Sequence, residues 1–260
     1  MAPRFTTVNQ VVDGLGDLET RFRARGDRRA IFLTLYGVVS AEMRERLARG
    51  EFLDNAWVSR YLVAFAELYR AALEAYDARR MDEVPKSWRL CFDAAARGDG
   101  LVLQDMLLGV NAHVNNDLPL ALTAVSIDPD REARYRDHAA VNAVLASVTE
   151  RATARIAALY APGVAMLDAC AGQLDEMLSM FSLQVARESA WEGSVALANA
   201  RSAFERRLAT TVIGSRAAVL ARLLLAPTAV PAFAEACRRV EQSVDMAALI
   251  ASVKDDLARH

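Results

Sequence analysis

Between Leu101 and Val125 the chain reads LVLQDMLLGVNAHVNNDLPLALTAV, two strongly apolar runs separated by NAHVNND. A helix that is apolar all round has to be buried, so this segment must cross the interior of the fold. There its polar groups lose water. A buried amide without a partner costs about 1–3 kcal/mol, and a buried charge costs more. Asparagine is also a poor helix former, because its amide competes with the backbone. These side chains must therefore satisfy one another or bind something, inside a core large enough to surround them.

The rest of the chain supplies such a core from helices. Alanine, leucine, arginine and glutamate dominate its 260 residues, glycine and proline are sparse, and no run alternates apolar with polar residues. The pattern predicts helices over 27–49, 54–79, 85–97, 101–125, 130–159, 163–206, 207–225 and 231–257. Gly50 ends one of them, Asp54 caps the next, and Pro85 sits at the start of KSWRLCF. Asp128-Pro129 and Ala161-Pro162-Gly163 read as breaks, and the long stretch after Val164 calls for a kink near Gly193. Short connections favour a single all-α bundle over residues 1–260, with 161–163 as its one place to divide.

Charge and motifs exclude several classes. Net charge is −2 with both signs interspersed, so nothing here recruits nucleic acid or an anionic membrane. The start has no hydrophobic leader, and the apolar run in AAVLARLLLAPTAVPAF is too short to span a bilayer, so the expected location is cytoplasmic. Cys91, Cys170 and Cys237 are far apart and form no CxxC. No GxGxxG, P-loop, GxSxG or HExxH occurs, and no Glu-x-x-His pair for a di-iron bundle. Three histidines argue against a multi-histidine zinc site. No cofactor is expected. The one metal site the residues admit is a single divalent ion at His113 and Asp117 with a glutamate, and the i,i+4 pair Glu188 and Glu192 leaves a cation conceivable there too.

Spacing sorts the polar centre. His113 and Asp117 are i,i+4 and share a face with Asn116, provided helical geometry survives Pro119. The carboxylate would then raise the imidazole pKa and fix its tautomer, as an oriented general base requires. If the helix breaks earlier, Asp117 is only a cap for a restarted helix. Asn111 and Asn115 form a second i,i+4 pair beside Gln104, and Asn142 is another amide on an apolar face. Arg187 and Trp191 pair at i,i+4, as a cation–π contact, an anion clamp, or a buried guanidinium answering Asp117 or Glu188. Tyr69, Trp88 and Phe92 lie on apolar segments, where aromatics belong to a core more often than to a pocket. His138, inside the charged run REARYRDH, is expected in solvent.

GVNAHVNNDLPLAL, at 109–122, resembles the Gly-hydrophobic-Asn-Ala-His-(Ile/Val)-Asn-x-Asp-Leu-Pro-x-Ala-Leu motif of an uncharacterised bacterial family, a domain of unknown function. VPKSW at 84–88, AFAELYRAALEAY at 64–76 and ARESAW at 186–191 extend the resemblance over most of the chain. One departure is RDHAAVN at 136–142, where His138 stands in place of an aromatic residue. The resemblance implies an α-helical bacterial protein and supplies no activity or catalytic residue.

The residues favour an enzyme for a small, largely apolar molecule. His113 oriented by Asp117 would move a proton; Asn111, Asn115, Asn116 and Asn142 would hold substrate oxygens; Arg187 would meet negative charge; Tyr69, Trp88 and Trp191 would line the pocket. Hydrolysis, elimination and cyclisation all fit that set. A non-catalytic ligand-binding protein is the alternative, and a purely architectural cluster is a third reading. The apolar C-terminal helices suit either a monomer's core or a homodimer surface.

Overall fold

The computed structural model describes residues 3–98, 100–164, 182–226, 231–243 and 245–258. Among these there is no strand, and the fold is all-α. The first part of the helix expected over 163–206, residues 227–230, Cys170 and His260 lie outside the described residues.

The first helix, α1 (Val8–Arg23), precedes every helix predicted from the pattern; it is capped by the Thr7 side chain and packed on α2 (Arg29–Ala48). Helix α3 (Asn55–Asp77) starts where predicted: the Asp54 carboxylate accepts the Trp57 N–H at 2.8 Å. Helix α4 (Lys86–Arg97) ends at Gly98, whose φ of 66° is the left-handed geometry that glycine adopts without strain.

The apolar segment then forms the central rod. It consists of α5 (Val102–Asn111), a π-helical turn (Ala112–Asp117) and α6 (Leu118–Ala124). Every residue from Leu101 to Pro119 is buried. Neighbours surround the rod. Phe32 of α2 lies over Gly109 and Tyr36 lies against His113, so α2 runs in the same direction as the rod. Trp57 of α3 donates to the Ser126 carbonyl at 2.8 Å while Phe65 reaches His113, so α3 runs the other way.

The remaining helices close the ring. Helix α7 (Arg131–Val164) lies antiparallel to α8 (Leu183–Asn199), with Arg131 bonded to Asn199 at one end and His138 to Arg187 further along. Ala161-Pro162-Gly163 is not the expected break, because α7 continues through it to Val164. Helix α8 passes Gly193 without interruption. A Cβ there would stand 3.2 Å from Pro119, so this glycine allows close packing rather than a kink. The expected boundary near 206 falls at Ala200–Ser202, where the Ser202 side chain caps α9 (Ala203–Leu225).

Helix α9 runs antiparallel to the rod, and the Gln104 amide donates to Leu224 O at 2.8 Å. It is also long and apolar enough to cross a membrane by length and composition, with 28% of the relevant window buried. Its outer face carries Phe204, Leu208, Val212, Val219 and Leu223 in the open. Helix α10 (Pro231–Gln242) packs on α7 and meets the start of the rod, where Glu241 accepts the Val102 N–H, and α11 (Met246–Ala258) returns to the first helices, with Lys254 bonded to Glu19.

Candidate functional site

The π turn builds the site. Proline at 119 has no N–H, so the α-helical bond from residue 119 back to Asn115 cannot form. The chain widens instead, and the Leu118 N–H reaches back five residues to His113 O. Helical geometry therefore survives through 117, and the pairing that depended on it is present: His113 Nδ1 lies 3.0 Å from an Asp117 oxygen. Asp117 makes no side-chain cap at α6, so the simple capping reading of this residue fails.

Asp117 is a hub. Its Oδ2 accepts from Trp88 Nε1–H at 2.7 Å as well as from His113, and its Oδ1 accepts from the Asn116 amide at 2.8 Å. The carboxylate is 1% exposed, so these three donors replace its water. A carboxylate can only accept, so the His113 proton resides on Nδ1 and Nε2 presents a lone pair. That nitrogen is buried and has no hydrogen-bond partner among the described residues. Burial is the largest influence on His113 and lowers its pKa from the ordinary value, outweighing Asp117, which raises it. The direction is opposite to the one expected from the sequence, and it leaves a neutral imidazole at neutral pH.

Aromatic rings enclose that imidazole. Phe65 stacks on it with centroids 3.5 Å apart, Tyr36 meets it edge-on at 4.4 Å, and Phe32, Trp88 and Tyr69 stand at 5.7, 5.9 and 6.3 Å. Trp57, Tyr61 and Phe65 form a stacked ladder along α3 that ends on His113. Burial and the nearby charge of Asp117 hold the Tyr36 hydroxyl well above its usual pKa. The sequence reading named Tyr69 and Trp88 but missed Phe32, Tyr36 and Phe65. The spacing was available, since Trp57, Tyr61, Phe65 and Tyr69 recur every fourth residue.

A family model described as "Family of unknown function (DUF5995)" matches residues 8–227. The chain belongs to the DUF5995 family. No curated protein and no solved structure matches it.

The other candidates of this DUF5995 protein are used differently. Asn111 and Asn115 are bonded to each other at 3.0 Å, and the Asn111 amide donates to Ala217 O of α9 at 2.9 Å. They tie the rod to α9. Arg187, Trp191 and Asn142 form a second cluster between α7 and α8, with Arg187 and His138 buried at its centre and Trp191 and Asn142 half-buried around them. Arg187 answers neither Asp117 nor Glu188; Glu188 instead accepts the Tyr135 hydroxyl. Asn142 turns to Arg187, away from the Asn111 side.

His138 is a correction. It is completely buried rather than in solvent, and burial, aided by the adjacent guanidinium, pushes its pKa down to about 2. The charges of REARYRDH conceal a seam at Asp137, His138, Val141, Val144 and Val148 that faces inward at helical spacing. Among the described residues no group of three or more His, Cys, Asp or Glu side chains is placed to hold a metal, and neither His113 with Asp117 nor Glu188 with Glu192 makes one.

Proposed function

We propose that this protein is an acid–base enzyme for a small, largely apolar molecule, with His113 as the group that takes and returns the proton. The observation behind the reading is the unpartnered, buried Nε2 on an imidazole whose other nitrogen is fixed by Asp117. Neutral imidazole with a free lone pair is the form a general base needs. Asp117 stabilises the cation formed when the proton arrives, and Trp88 and Asn116 hold Asp117 in place. Asn111 and Asn115 are positioning residues for the rod rather than substrate contacts. A π turn fits this role, since such turns recur at functional sites.

Substrate reaches Nε2 by parting the rings of Tyr36 and Phe65, which selects small, flat or apolar molecules. Hydrolysis, elimination and cyclisation remain the reaction classes. The test has two parts. Folded wild-type protein is treated with diethyl pyrocarbonate, which reacts with neutral imidazole, and His113 should carry the adduct. Wild type and His113→Gln are then compared on small esters, lactones and hydroxy acids, with products read by mass spectrometry. Conversion lost in the variant supports the reading. A His113 that stays unmodified in the folded protein sinks it and leaves an architectural cluster.

The ring stacked on His113 and the four others around it favour a second reading, a non-catalytic pocket that holds its ligand. In that case His113→Gln weakens ligand retention and no product appears with either protein.

A further inference from the structure

The second histidine cluster lacks the complement of what the first lacks. Arg187 is 2% exposed, and its guanidinium is held by neutral acceptors: Asn142 Oδ1 at Nε, and the His138 carbonyl at 2.6 Å from Nη2. Nη2 also lies 3.2 Å from His138 Nδ1. No carboxylate among the described residues pairs with it, and Nη1 bonds to none of them. The nearest acids in sequence are committed elsewhere. Asp137 accepts the backbone N–H groups of Leu53 and Asp54 at 2.7 and 2.9 Å, and Glu188 accepts from Tyr135 at 2.8 Å. An unpaired charge taken out of water is costly by several kcal/mol, so buried guanidinium groups ordinarily face an anion.

His138 points to the same missing chemistry. Arginine has no lone pair, so at the contact with Arg187 the ring nitrogen Nδ1 must accept. The neutral ring then carries its proton on Nε2, and Nε2 is buried without a partner. The guanidinium lacks an anion, and the neighbouring Nε2–H lacks an acceptor. Beside them stand Trp191, 5.5 Å from the His138 ring, and Tyr135, 5.2 Å from Trp191.

We propose that Arg187 and His138 form a carboxylate-binding site, with Tyr135 and Trp191 as the wall for the apolar body of a small organic acid. Two remaining donors, Nη1–H and Nε2–H, suit the two oxygens of a carboxylate. The low pKa of His138 is consistent, because a ring that stays neutral keeps this donor pattern at any ordinary pH. The site stands independently of His113 and would survive the failure of the acid–base reading.

The test uses the full chain, with sodium benzoate, sodium acetate and inorganic phosphate as probes at constant ionic strength. Calorimetric titration and melting temperature are read for wild type, Arg187→Met and His138→Phe. Benzoate should bind saturably, more tightly than acetate, and shift the His138 Nε2–H proton resonance. Losing one charge-assisted donor should weaken it by about 10-fold or more. If Arg187→Met does not fold, His138→Phe decides, since it keeps a ring against Trp191 and removes only the imidazole nitrogens. Phosphate binding without benzoate binding overturns the carboxylate assignment. The site itself is overturned by no saturable effect from any probe, or by undiminished benzoate binding in the folded variants.

Discussion

Replacing Asp117 with alanine should be among the most damaging single changes in the protein, while asparagine at the same place should be nearly harmless. Alanine strands the Trp88 indole N–H and the His113 Nδ1–H, both buried, which sit 2.7 and 3.0 Å from the lost oxygen. Each stranded donor costs about 1–3 kcal/mol, so the pair costs roughly 2–6. The Asn116 amide adds little, because it is slightly exposed and can turn. Removing a buried negative charge offsets part of this, so about 3 kcal/mol is expected net. At about 2–4 °C per kcal/mol for a chain of this size, the melting temperature falls by roughly 6–12 °C. Asparagine keeps an oxygen for Trp88 and His113, and Asn116 restores its own bond by flipping its amide, so the loss should be about 1 kcal/mol or less. Urea denaturation followed by circular dichroism measures both variants. If the two are equally stable, or alanine is indistinguishable from wild type, Asp117 is not a hub.

Acid should destabilise the protein through its buried imidazoles. The unfolded chain protonates histidine near pH 6.5 while folded His138 stays neutral, so the unfolded state binds more protons and stability falls as pH drops below that value. Between pH 7 and pH 5 His138 alone should cost about 2 kcal/mol, and His113 acts in the same direction; denaturation curves at the two pH values, with His138→Phe flattening the dependence, check it. In Gly109→Ala the new Cβ would stand 2.5 Å from Phe32 Cγ. The usual helical gain of about 1 kcal/mol should therefore invert to a loss of about 1–3 kcal/mol, read from the urea midpoint. Trp88→Phe keeps the ring but not the donor to Asp117, and should shift the His113 ring-nitrogen resonances without unfolding the protein.

The sequence carried the rod, the Asp54 cap and the His113–Asp117 pair because each follows from local rules: apolar content, cap chemistry and i,i+4 spacing. What it concealed is non-local. The pKa direction of His113 depends on five rings contributed by α2, α3 and α4, and no spacing within 111–117 reports their presence. His138 was hidden by the charges around it, although its inward seam has helical period. The proline at 162 suggested an ending that the long helix α7 overrides. The α8–α9 boundary was legible and overlooked, since Ser202 and Glu205 spell a helix start, and Ser202 accepts the Glu205 N–H at 3.1 Å.

The widened turn at 112–117 also makes length a requirement in its own right. A π turn takes one residue more than the α turn it replaces, so deleting Val114 would close the segment to α-helical spacing and leave α6 in its place. Leu118 and Leu122 would stay inside and Pro119 beside Gly193, while His113 would stand three residues from Asp117 instead of four. A chain with every polar letter of this segment intact but one position fewer would keep its middle and re-aim its imidazole.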